Sequence, residues 1–416
     1  MTINAPGDAG PPRPLAGIRV LEVAQWVFVP AASAILADWG ADVIKVEHPV
    51  HGDAVRGLNQ GGPKTLSAAH NTQHANRGKK GIGLQLDTPE GREILLRLVD
   101  ECDVFLTNFL PAVRSRLGID VDDIRARNPR VVYARGSGLG PRGDEREGGG
   151  FDYATFWGRA GVGLAFHDPS LEYPVAGNAA FGDLISAPIL AGGIAAALLD
   201  RERTGRADVV DVSLLGVGSW IMAGDIVTAA LGDPQPSVAL TPHAEPRNAL
   251  VNIYRTRDHR YIALVSLQSD RDWPEFCARV GRPDLIDDPR FSSAARRMEN
   301  RNACVEQIDA AFAAKTLDEW RRQLRGTRFV WEAMQTPGEV ATDPQVIAND
   351  YLVPVDRTGD ELLPPMLVAS PVQFDETSPA ELRRAPEVGE HTEQVLLDLG
   401  YGWDDITRLK SAGIVN

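Results

Sequence analysis

Between Pro14 and Ser137 the chain alternates short β-rich runs with helical ones, and this alternation constrains the fold more than any other feature. The runs are "IRVLEV", "PAASAILADWG", "VIKVE", "TPEGREILLRLVDEC", "DVFLTNF", "VDDIRARNP" and "VVYARGS". Strand, helix and strand at this spacing is the signature of right-handed βαβ units feeding a parallel sheet. A doubly wound α/β layer is therefore expected over the first 140 or so residues. The theme continues with the apolar helix "LISAPILAGGIAAALLDRERTG", stopped by Gly205 after Arg201 and Arg203, and with a further strand in "ADVVDVSLLG". A second long helix is expected from Leu215 to Leu231.

At 416 residues the chain exceeds one ordinary core, and two domains are expected. The Pro-rich stretch "GDPQPSVALTPHAEPRN" reads as the break between them. Beyond it, "IYRTRDHRYIALVSL" reads as a hairpin, and "SDRDWPEFCARVGRP" and "RRMENRNACVEQIDAAFAAKTLDEWRRQLR" read as helices, which makes a small α+β domain. The expected boundaries are a loose tail over 1–13, a large domain over 14–225, a small domain over 226–330, and a linker and returning C-terminal segment over 331–416. A last helix is expected in "GEHTEQVLLDLGYGWDDITRLKSAG".

The net charge is 43 minus 57, or −14, which argues against a nucleic-acid surface built from clustered Lys and Arg. Cys102, Cys277 and Cys304 are odd in number and widely spaced, so neither a disulfide framework nor a zinc knuckle is readable, and a reducing cytoplasm is the expected location. The first 13 residues lack a basic and then apolar leader pattern. The longest uncharged stretch, Leu184 to Leu199, contains one Pro and two Gly and is shorter than the roughly 20 residues of a bilayer span. No membrane contact is expected.

One acid stands out. Asp183 lies between Gly182 and the long apolar run. An Asp before a helix caps its free N–H groups, and an ionised carboxylate at a loop tip beside glycines can also attack an electrophile. The glycine-rich run "GSGLGPRGDEREGGG" follows a strand without leading into a helix, so it fails as a dinucleotide fingerprint and reads as a loop over a site or a plain surface loop. Arg77, Lys79 and Lys80 in "ANRGKKGIGL" are either a solvated charge run or a cradle for a phosphorylated ligand. "HPVH" lacks a third ligand at metal spacing, and no Walker A, H-E-x-x-H or G-x-S-x-G occurs. Neither a metal, a nicotinamide nor a flavin is expected.

The runs "PLAGIRVLEVAQWVFVPAASAILADWGADVIKVEHPVHGDAVRG", "NRGKKGIGLQLDTPEGREILLRLV", "DVFLTNFLPAVRSRLGI", "NPRVVYARGSGLG", "FGDLISAPILAGGIAAALLDRERTGRADVVDVSLL" and "GEHTEQVLLDLGY", in this order, resemble the class III CoA-transferases of the CaiB/BaiF family. The resemblance implies a Rossmann-like large domain with a parallel sheet, a small α+β domain, and an interlocked, ring-like homodimer. It implies acyl-CoA and a carboxylic acid as substrates, and Asp183 as a nucleophile that forms an aspartyl anhydride and then an aspartyl-CoA thioester. Its CoA contacts map onto Asn108 and Phe109, Arg116 facing phosphate, and Leu84 near adenine. His48 stands where formyl-CoA transferase has an arginine, Gln25 replaces its histidine, and Val27 and Phe28 replace its Gln-Ala. With Lys79, Lys80 and Tyr153 these complete the candidate CoA-contacting set. The family's tetraglycine loop is absent from "TPHAEPRNALVNIY", which disfavours oxalate and formate.

The sibling activity, α-methylacyl-CoA racemisation, needs a histidine directly before an Asp in a stretch matching "GGFDYATFWGRAG", where this chain has Phe151 before Asp152. A non-catalytic CoA-binding protein is the other alternative. The aromatic residues Trp26, Phe28, Tyr153, Phe156, Trp157 and Phe181 suggest a bulkier or apolar acyl group, with Arg159 or Arg135 meeting a carboxylate; they suit a core equally well.

Overall fold

A computed structural model describes residues 13–57, 66–168, 170–174, 177, 178, 180–232, 242–357, 363–376 and 381–416. Its centre is a sheet of six strands in the order β3-β2-β1-β4-β5-β6. These are β1 Arg19–Val23, β2 Asp42–Glu47, β3 Lys80–Gly83, β4 Val104–Thr107, β5 Val132–Ser137 and β6 Val209–Ser213, and every neighbouring pair is parallel. Around it lie α1 Phe28–Asp38, α2 Leu66–Asn76, α3 Pro89–Glu101, α4 Pro111–Leu117, α5 Val121–Arg127, α6 Val162–Ala165 and α7 Phe181–Thr204. Local chemistry starts and stops them. Thr88 accepts the Gly91 N–H at 3.0 Å ahead of Pro89 in α3, Asp120 and Asp123 form a capping box on α5, and Gly118 ends α4 at φ 65.

Strand side chains alternate between two cores. Val20, Val104, Leu106, Val132 and Ala134 pack on one face with residues of α1 and α7, whereas Leu21, Val23, Phe105 and Tyr133 pack on the other with α3 and α5. The step from β5 to β6 runs in the same direction as that from β4 to β5, yet α7 lies on the α1 face and α5 on the opposite one. The β5-α7-β6 crossover is therefore of the opposite hand to the right-handed units expected from the sequence pattern. Its result is that α7 packs against α1, with both helices starting at the carboxyl ends of the strands.

After β6, the helix expected over Leu215 to Leu231 is two: α8 Leu214–Ile221, capped by Ser213, and α9 Ala223–Ala230, with the chain turning at Met222. The chain divides into two compact units, 1–238 with 344–416, and 239–343. The expected boundary at 330 falls short of this division because a strand there completes the smaller unit's sheet. That sheet joins β7 Val251–Arg255, β8 Tyr261–Val265 and β9 Val330–Ala333 in antiparallel register, the first two as the expected hairpin. Its core includes residues of α10 Ser269–Arg279, α12 Arg301–Phe312 and α13 Leu317–Gln323, with α11 Ala294–Glu299 and α14 Pro337–Val340 in the same unit.

The final segment of the large unit carries α15 Pro344–Ala348, a small pair of β10 Leu352–Pro354 and β11 Met366–Val368, and then α16 Thr392–Asp398 and α17 Trp403–Ser411. The last two replace the single expected helix because Gly400, at φ 83, breaks it. They cover the α3 and α5 face of the large sheet. Helix α7 has the length and hydropathy of a membrane span. Here its buried side packs against α1 and β6, while Leu184, Ile189 and Leu199 on it remain exposed.

Candidate active site

The strand order reverses between β1 and β4, and in open parallel sheets the crevice at the carboxyl ends of such a pair is where ligands bind. Here the two post-strand turns are tied together. Asn108, just after β4, accepts the Gln25 N–H at 3.0 Å and donates to the Gln25 carbonyl at 2.6 Å. The next residue, Trp26, has φ 70, a left-handed conformation uncommon for a bulky side chain. Its N–H donates to Asp53 Oδ1 at 2.9 Å.

Asp53 belongs to a buried ionic cluster beneath the crevice. Lys45 Nζ donates to Asp53 at 2.9 Å and to Glu22 at 2.7 Å, and Lys79 Nζ donates to the other Glu22 oxygen at 2.6 Å. Burial opposes the Glu22 charge, yet the two ammonium groups hold its carboxyl down to about 2. Lys79 is pushed down to about 7 by burial, with Glu22 opposing.

The carboxylate at the head of α7 faces the same rim, because a helix that leads from β5 into the parallel β6 must start at the carboxyl ends. Asp183 is not the cap of this helix. It sits in the first turn, two residues after Phe181, and the N–H groups ahead of it are met by Asp152, whose Oδ1 accepts from Gly182 at 2.7 Å. Gly182 permits this approach: a Cβ there would lie 2.3 Å from Phe156 Cγ and 2.4 Å from Asp152 Oδ1. Asp183 is half-buried, and its pKa is raised to about 7, by burial first and by the Asp152 charge second. Burial also raises Asp152, against the N–H groups of Gly182, Asp183, Phe181 and Ala180. Such a carboxylate is more basic than a solvated one, and so a better nucleophile once ionised.

The glycine-rich run starts with a packed neck. A Cβ on Gly138 would lie 2.5 Å from the Gly150 Cα, and one on Gly136 would lie 2.2 Å from Val29 Cγ2. These glycines let the end of β5 and the strand of chain leading to Asp152 touch each other and α1, while residues 141–147 are exposed. From Tyr153 to Arg159 the backbone forms a π-helical turn, a conformation that recurs at functional sites.

The candidate residues separate into two groups. Gln25, Asn108, Phe109, Tyr153 and Asp183 stand at or beside the rim; Tyr153 is 68% exposed, and Arg116 on α4 is open apart from a 4.0 Å contact with Asp87. His48 also follows β2 at the rim, where its Nδ1 accepts the Val50 and His51 N–H groups, which leaves Nε2–H as its donor; burial and His51 lower its pKa, so it is a weaker cation than the arginine it replaces. The side chains of Val27 and Phe28 are core, leaving the backbone at the start of α1 facing the crevice. Leu84 is 1% exposed, enclosed among the core residues of the opposite face, and cannot pack on an adenine without leaving it.

Lys79 and Lys80 need correction as phosphate contacts. Both lie at the amino end of β3, away from the rim; Lys79 is enclosed by Glu22, and Lys80 pairs with Asp42 at 2.9 Å. Arg77 pairs with Asp38 at 2.7 Å, so the whole cationic run is neutralised by strand and helix acids. Arg135 and Arg159 are likewise engaged, by Asp211 at 2.6 Å and by Glu145, and Phe156 and Trp157 are buried. Asp152, Asp53 and Glu22 are acids bound to these turns and strands that the sequence reading did not single out as site residues. Glu22 alone carried a signal, as an acid inside the apolar strand "VLEV".

The sequence model described as CoA-transferase family III matches residues 15–392. The chain is 31% identical to the (R)-2-hydroxy-4-methylpentanoate CoA-transferase of Clostridioides difficile, over 96% of this chain and 99% of that one. It is also 31% identical to the cinnamoyl-CoA:phenyllactate CoA-transferase of Clostridium sporogenes, over 95% of each. Among solved structures, Rv3272 of Mycobacterium tuberculosis superposes with a TM-score of 0.79 at 30% identity, covering 93% of this chain and all of that one.

Proposed function

Because the chain belongs to CoA-transferase family III, we propose that it moves CoA from an acyl thioester to a free carboxylic acid through covalent intermediates on Asp183. A class III transferase needs a carboxylate that is shielded yet reachable. The observation that carries the assignment is the position of Asp183: at the head of α7, at the sheet's carboxyl rim, with its pKa raised to about 7.

An Asp183 oxygen attacks the thioester carbonyl, the C–S bond breaks, and CoA leaves as thiolate, giving a mixed anhydride. The thiolate then attacks the aspartyl carbonyl and expels the donor acid as its carboxylate, giving an aspartyl-CoA thioester. The acceptor carboxylate attacks this thioester and the thiolate leaves again. Finally the thiolate takes the acyl carbon of the new anhydride and frees Asp183. Retaining CoA through these steps keeps each effectively intramolecular, worth on the order of 7 kcal/mol or more. The pantetheine arm runs over the hydrogen-bonded Gln25 and Asn108 turns at the carboxyl rim, and Arg116 supplies a phosphate contact. Exposed apolar side chains on α7, α8 and α9 and just after α9, including Leu184, Ile189, Trp220, Val227 and Leu231, support a homodimer that covers them.

Incubation with acyl-CoA and hydroxylamine, followed by peptide mass spectrometry, should place a hydroxamate on Asp183, and Asp183→Asn should abolish both label and transfer. Label on another acid with Asp183 clean would reject the assignment. Sedimentation should give a dimer mass.

A further inference from the structure

Resting on the transferase reading, we propose that Trp26 and Phe151 form the side wall of the acyl pocket and select thioesters whose acyl group carries a flat aromatic ring. The first observation is the Trp26 backbone. Its left-handed φ of 70 would suit glycine, and it is enforced from both sides, by Asp53 on its own N–H and by Asn108 on both backbone groups of Gln25. Asp53 is itself held by buried Lys45. Strain over-determined in this way gathers where a side chain must be presented in one place.

The second observation is what that presentation produces. The indole rests on the core formed by α1 and α7, and it meets the Phe151 ring at 5.3 Å with an interplanar angle of 89°. Phe151 is 61% exposed, on a stretch anchored by the Gly138 and Gly150 contact. The next residue, Asp152, holds the start of α7 one residue before the nucleophile. A perpendicular aromatic corner thus stands one residue along the chain from the carboxylate that holds the head of α7. An aryl group can stack offset on one ring while meeting the other edge to face, an arrangement unavailable to an aliphatic chain.

The test needs no knowledge of the natural acceptor, because a transferase exchanges an acyl-CoA with its own free acid. Exchange of 3-phenylpropanoyl-CoA with 13C-labelled 3-phenylpropanoate is compared with exchange of butanoyl-CoA with 13C-labelled butanoate, by mass spectrometry. The wild type should favour the aryl pair, and Trp26→Gly and Phe151→Ala should each lower the aryl-to-butanoyl ratio of kcat/KM about 10- to 100-fold. Glycine accepts the backbone conformation at 26, and Phe151 is a surface side chain, so a melting curve on each variant confirms folding. A ratio unchanged within about twofold in both folded variants, or a wild type that favours butanoate, overturns the proposal. Absence of exchange with the aryl pair in the wild type also overturns the proposal, while the hydroxamate label on Asp183 tests the transferase reading separately.

Discussion

On the proposed mechanism Asp183 must be ionised to attack, so its raised pKa places the acid limb of kcat/KM near pH 7: activity is present above that pKa and is lost as pH falls through it. Asp152 contributes to the rise through its like charge. Asp152→Asn keeps an oxygen for the Gly182 N–H while removing that charge, so the limb should move to lower pH. A pH profile that keeps its shape while kcat falls would leave Asp152 a structural cap only. The same electrostatics act on stability. The Asp183 pKa is raised from the ordinary 3.8 of an aspartate, so the folded state is penalised as pH climbs from that value through about 7. Asp183→Asn should therefore raise the unfolding free energy at pH 8, by on the order of a few kcal/mol in denaturant titration, and by much less at pH 4.5. The place of Asp183 at the head of α7 was legible because a Gly-Asp step precedes a long apolar run. Its partner was not, since nothing local in "GGFDY" links Asp152 to a helix that starts about thirty residues later. Lys79 and Lys80 misled for the same reason: their counter-ions Glu22 and Asp42 come from other strands, and only the sheet order brings them together.

The elements show how close approach sets this geometry. Gly182→Ala would drive a Cβ into Phe156 and the Asp152 carboxylate, so either the π-helical turn or the head of α7 must move. Overpacking of this kind costs about 1–3 kcal/mol. Transfer should fall by at least about tenfold, because a shift near 1 Å at the nucleophile is enough to lose alignment; kcat/KM beside a thermal melt separates the two effects. Glu22 joins β1 to β2 and to the residue before β3 through Lys45 and Lys79. Glu22→Gln leaves those ammonium groups short of one buried counter-charge, and chemical denaturation should register a loss of about 3–5 kcal/mol. Strand and helix periodicity made the parallel sheet readable from sequence. The hand of the β5-α7-β6 crossover was not, because it depends on which face the apolar side of α7 finds, and α1 offers that face.

At the scale of the whole chain, the Pro-rich break and the change from parallel to hairpin patterning announced two units, but the limits depend on pairing. Val330–Ala333 belongs with β8 by register, and short tracts such as "VWEA" carry too little pattern to show it. The return of the chain after residue 344 has a consequence for stability that can be measured apart from catalysis. Ile406 and Leu409 on α17, with Ile414 and Val415, are buried against one face of the large sheet, and Val415 bridges to Leu84 beside β3. Burying each such side chain contributes about 1.5–3 kcal/mol, so the four together rival the 5–15 kcal/mol net stability usual for a domain. A chain ending at Tyr401 should accordingly fail to accumulate as soluble protein. Ile406→Ala should lose about 2–5 kcal/mol by denaturant titration. Since this face of the sheet lies opposite the one carrying α1 and α7, kcat/KM per folded molecule should stay at the wild-type level. A fall in kcat/KM equal to the loss of stability would instead mean that the C-terminal segment reaches the reacting groups.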